Sequence, residues 1–72
     1  MDFHAYLTKH DGSPKPHGSE LIRLATECGK SPMYFYLTAL GHKRVGKDTA
    51  QLMELNSIDG ELSADEVNKK DE

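Results

Sequence analysis

Few residues in this chain carry catalytic or metal-binding chemistry, and their spacing sets most of them aside. The 72 residues include one cysteine, Cys28, and four histidines. A single cysteine allows neither an internal disulfide nor a cysteine-based zinc cluster. Cys28 closes an apolar helical face, where cysteine acts as a small buried hydrophobe. His4, His10 and His17 are spaced six and seven apart, with Gly and Pro between the last two, and match no zinc-ligand pattern. Ser13, Ser19, Ser57 and Ser63 stand at turns and helix starts, and Asp65 and Glu66 belong to a helix start. Gly41 and Gly46 flank a basic loop that lacks the Gly-Lys-Ser/Thr order of a phosphate loop. No acid, base and nucleophile converge, so neither an enzyme nor a cofactor is expected.

The basic side chains are distributed unevenly. The net charge is −3. Residues 1–50 hold seven basic side chains against five acidic, a balance of +2, and all four histidines. Residues 51–72 hold two basic against seven acidic, a balance of −5. Such asymmetry is that of a polyanion-facing part joined to an acidic end, or of two ordinary solvated surfaces.

The elements that must position these groups are short helices. Hydrophobic residues are 36% and charged residues 29% of the chain, with a mean hydropathy of −0.68. Those values point to one small soluble domain that buries about 60% of its unfolded surface. No apolar run spans a membrane, and the first residues lack the pattern of a signal peptide. Asp2 caps a first helix with Phe3, Tyr6 and Leu7 on one face. His10 to Gly18, with two Gly and two Pro, is a loop. Ser19 is the expected N-cap of a second helix, whose inward face is Leu21, Leu24, Ala25 and Cys28. Gly29 is its left-handed C-cap, and Ser31-Pro32 starts a third helix running to Leu40. Two helices joined by so short a turn are the signature of a helix-turn-helix. Lys47 to Leu55 forms a fourth helix with Ala50 and Met53 inward. Ser63-Ala64-Asp65-Glu66 reads as a capping box for a short last helix bearing Val67. The expected core adds Phe35, Ala39, Val45 and Leu62 to the inward residues already named. The domain is residues 1–67, and residues 68–72 form a frayed tail.

The stretch LIRLATECGKSPMYFYLTALGHKR resembles the core of the Cro/CI-type helix-turn-helix proteins of phages and bacteria. Ala25 and Gly29 fall four apart, with Ser31-Pro32, Tyr34-Phe35 and Gly41 at the family's spacings. VGKDTAQLMELNSIDGELSADEV is similar to the end of the shorter Cro-like and YdaS-like members. The resemblance covers residues 3–67. It implies an all-α, lambda repressor-like domain of four to five short helices that reads the major groove with helix 32–40. It implies DNA base contacts from Ser31, Pro32, Met33, Tyr36 and Leu37. Phosphate contacts would come from Lys30, His42, Lys43, Arg44 and Lys47. Such proteins occupy two-fold operators in double-stranded DNA, and a chain this short implies a weak or DNA-dependent homodimer in the cytoplasm, at the nucleoid.

One feature departs from the family. Met33, Tyr36, Leu37 and Leu40 form an apolar stripe where family members carry polar readers. The alternative expectation is a helix-turn-helix used to bind protein, as an interaction module or an antitoxin.

Overall fold

The computed structural model describes residues 1–68; residues 69–72, most of the expected tail, lie outside the described residues. Helix α1 (Phe3–Asp11) starts where the sequence provides a cap: the Asp2 carboxylate accepts the Ala5 N–H at 2.7 Å. It runs two residues into the expected loop and stops at Gly12, which takes a φ of 83°.

Helix α2 (Ser19–Cys28) corrects an expectation. Ser19 is its first helical residue, and Gly18 holds the cap position with no side chain to bond. The capping group is Asp11, at the end of α1. Its carboxylate oxygens accept the Glu20 N–H at 3.0 Å and the Leu21 N–H at 3.2 Å. One side chain therefore satisfies two orphan donors of α2 and ties it to α1. A β-carbon on Gly18 would fall on that carboxylate, so the close approach requires glycine. Asp11→Ala is expected to lower stability by about 1 kcal/mol. Gly18→Ala should cost a similar amount, by displacing the same carboxylate. The double variant should then lose little more than either single one in urea unfolding. Full additivity would show that the two residues act separately.

Three residues, Gly29 to Ser31, join α2 to α3 (Pro32–Ala39). Gly29 is left-handed (φ 72°), and its N–H and that of Lys30 close the end of α2 on Thr26 and Ala25. The Ser31 hydroxyl accepts the Tyr34 N–H at 3.2 Å, and Pro32 fills the first helical position, where its missing donor costs nothing. Gly41 and His42 close α3 in the same way, on Thr38 and Leu37. Helix α4 (Lys47–Asn56) follows the loop 42–46, and a 3₁₀ turn (Ile58–Gly60) follows α4.

The expected last helix is absent. Residues 64–68 form turns, with the Glu66 and Val67 N–H groups both bonding the Ser63 carbonyl. Glu66 does not complete the capping box; its carboxylate lies 3.5 Å from the Met1 ammonium. A single turn this short does not repay helix nucleation. Val67 is buried all the same. Asn68, expected in the tail, is held: its side-chain amide takes both the N–H (2.8 Å) and the carbonyl (3.0 Å) of Val45.

The architecture is all-α, with four helices and no strand among the described residues. Every residue expected in the core is buried, and Val67 joins them. Phe3 and Phe35 meet edge to face at 5.6 Å, which fixes α1 against α3. A buried polar group sits beside that core. The Tyr6 hydroxyl donates to Glu20 Oε2 at 2.5 Å and accepts the Ile58 N–H at 2.8 Å. Arg23 grips both Glu20 oxygens (2.7 and 2.6 Å) and donates to the Asn56 carbonyl. This network joins α1, α2 and the end of α4. No helix among the described residues is long and apolar enough to cross a membrane.

Candidate functional site

The side of α3 turned away from the core is the candidate site. Phe35, Thr38 and Ala39 anchor the helix inward. That leaves Ser31 and Met33 exposed, Met33 by 53%, and Pro32, Tyr36, Leu37 and Leu40 partly exposed. None of these outward residues carries a charge. Ser31 is the least free of them for an outside ligand, because its hydroxyl already caps α3.

The three tyrosines of the chain differ in one respect that bears on function. Tyr6 spends its hydroxyl on Glu20, and Tyr34 spends its hydroxyl on the Arg44 carbonyl. Tyr36 has no hydrogen-bond partner for its hydroxyl among the described residues, while its ring rests against the core. A ring held in place with a free donor and acceptor at its tip is the form of a recognition side chain.

Basic side chains bracket this face. Lys30 precedes α3, His42, Lys43 and Arg44 follow it, and Lys47 opens α4; all five are exposed. Among the described residues none of the five takes part in an ion pair. Elsewhere Lys9 and His10 are paired with Glu61, and Arg23 with Glu20. The face thus presents unpaired positive charge around an uncharged helix. Arg44, Lys47, Gln51 and Asp65 also line an open groove between the 42–46 loop, α4 and the 64–68 turns.

Titration behaviour sets the acidic groups apart from this face. Burial alone would raise the Glu20 carboxyl, but the Arg23 and Tyr6 hydrogen bonds outweigh it and hold Glu20 below its ordinary value. Burial, with Glu20 beside it, pushes Tyr6 up to about 12. Lys9 and His10 hold Glu61 down. Burial raises the Cys28 thiol, which makes it a poor nucleophile. All four groups lie outside the α3 face.

The sequence did not signal the Tyr34 hydroxyl bond or the Tyr6–Glu20–Arg23 group. The Tyr6–Glu20 and Tyr34–Arg44 bonds join residues 14 and 10 positions apart, which no local spacing announces; the Glu20–Arg23 pair is i,i+3 on α2, a spacing the sequence does offer. Comparison with protein families, curated proteins and solved structures finds no match for this chain.

Proposed function

We propose that this protein is a small Cro-like, sequence-specific DNA-binding transcriptional regulator, a repressor of the phage or prophage type. The observation that carries the reading is the α3 face: Met33, Tyr36 and Leu37 reach solvent between two groups of unpaired cations. The major groove admits one helix, and an α2–turn–α3 unit delivers α3 to it as the second helix of a helix-turn-helix. Met33 and Leu37 offer apolar contact to thymine methyls, and the Tyr36 hydroxyl offers a hydrogen bond to a base edge. Pro32 and Ser31 bring the first turn of α3 close to the groove floor. Lys30, His42, Lys43, Arg44 and Lys47 meet phosphates, which position the protein and do not specify sequence.

Two copies would occupy a two-fold operator, with half-sites about one helical turn apart. Met1, Ile22, Leu52, Leu55 and Ile58 are the large exposed apolar side chains outside α3. In this reading the dimer is weak or forms on DNA.

Selection of bound sites from random duplexes at moderate salt tests the reading, and a two-fold motif is the expected result. Recovery of no enriched sequence would overturn it. Lys43→Ala and Arg44→Ala should each weaken binding on all sequences alike and flatten the dependence of log K on log salt by up to about one unit. Loss confined to one sequence would move those residues from phosphate to base contact.

The apolar stripe of Met33, Tyr36, Leu37 and Leu40 favours a second reading, in which α3 docks on another protein, as in an interaction module or an antitoxin. Absence of duplex binding together with a stable complex through α3 would select it.

A further inference from the structure

Tyr34 stands apart from the outward face of α3, yet it reaches residues that flank that face on both sides. Its hydroxyl donates to the Arg44 carbonyl oxygen at 2.9 Å. The Lys30 ammonium lies 6.0 Å from the centre of its ring. The ring is partly buried, packs on the core and meets Phe35 edge to face at 6.3 Å. Its backbone is held as well: Ser31 takes its N–H, and the Thr38 hydroxyl donates to its carbonyl. One rigid side chain therefore links the turn between α2 and α3 to the loop after α3.

We infer that Tyr34 is a positioning residue, a strut that fixes Lys30 and the 42–46 loop at a set separation so that their cations meet phosphates in register with α3. The inference rests on the DNA-binding reading above. The loop has two other anchors, the His42 N–H on the Leu37 carbonyl and the paired bonds between Val45 and Asn68. Lys43 and Arg44 lie between them, and the Tyr34 hydroxyl is the hold on that middle stretch. A cation on a fixed loop loses less freedom when a phosphate binds it, which is the source of the gain.

Tyr34→Phe tests this, because it keeps the ring, the burial and the Lys30 contact and removes only the bond to Arg44. Two readouts separate the strut from the function. In the free protein, limited trypsin cleavage after Arg44 should rise about three- to tenfold, with little change in thermal midpoint, because the Arg44 carbonyl is the group released. An unchanged cleavage rate overturns the strut, whatever the protein binds. With a mixed-sequence DNA duplex, affinity should fall by a similar factor, and a selected operator should lose as much, leaving their ratio intact. In a Lys43→Ala/Arg44→Ala background, which keeps the carbonyl of residue 44 but removes both side-chain charges of that stretch, the substitution should cost little more. An undiminished loss in that background overturns the strut. Failure of the wild-type protein to bind any duplex overturns the DNA reading instead, while the cleavage result still decides whether Tyr34 holds the loop.

Discussion

Glu20→Ala is expected to lower the unfolding free energy by about 2–4 kcal/mol. A domain of this size has only about 4–11 kcal/mol in total, at roughly 0.05–0.15 kcal/mol per residue. Glu20 is 6% exposed and is the centre of the network joining α1, α2 and the end of α4. Its removal leaves the buried Tyr6 hydroxyl without its acceptor and the Arg23 guanidinium without its counter-charge. Arg23 is 41% exposed at its side chain and can turn to water, so the expected cost stays below that of a fully buried pair. Glu20→Gln keeps the shape and an acceptor and should fall between the two. Acid titration supplies the matching result. The folded Glu20 carboxyl lies below its unfolded value, so its contribution is complete above about pH 4.5 and is lost as pH falls through the folded value. The stability of Glu20→Gln should therefore depend less on pH than that of wild type below about pH 4.5; Glu61, also held down, keeps some dependence in both. Urea unfolding at neutral and acid pH measures both effects. A Glu20→Ala protein with wild-type stability would mean that the network contributes nothing.

The contrast between what could be read from the chain and what could not follows the range of the interactions. Asp2, Gly29, Ser31 and Pro32 act on backbone within a few residues of themselves, and each does in the structure what its type and position suggest. Leu21, Leu24, Ala25 and Cys28 are buried because helical periodicity puts them on one face. Ser19 misled because a nearer cap existed in space, though not in sequence: the Asp11 carboxylate, eight residues earlier. The capping box at Ser63 also met a rival in space: the Glu54 carboxylate takes the Ala64 N–H at 2.8 Å, and Glu66 lies beside the Met1 ammonium. Asn68 resembles a tail residue by composition and is fixed only because Val45 offers an unpaired peptide group. For the candidate site, spacing could place Met33, Tyr36 and Leu37 on one side of a helix. It could not distinguish three tyrosine hydroxyls. Which of them is free depends on where Glu20 and Arg44 come to lie.

That free hydroxyl gives the sharpest functional expectation. If α3 reads DNA, Tyr36→Ala should reduce the ratio of operator to random-sequence affinity by about 5- to 150-fold, the range of one good base contact at about 1–3 kcal/mol. The salt dependence should not change, because Tyr36 neutralises no phosphate. The ring also rests on the core, so part of the alanine effect is a loss of support for α3. Tyr36→Phe removes that ambiguity: the ring stays, and only the hydroxyl, which has no partner within the described residues, is lost. If the hydroxyl bonds a base edge, Tyr36→Phe should lose discrimination at one operator position while its melting temperature holds. If the ring alone reads, by contact with a thymine methyl, Tyr36→Phe should bind as wild type while Tyr36→Ala does not. A ratio unchanged in both variants would remove Tyr36 from the reading surface and leave Met33 and Leu37, two apolar side chains, to carry specificity alone. That composition suits a protein groove better than a base edge, so the result would transfer α3 to the protein-binding reading.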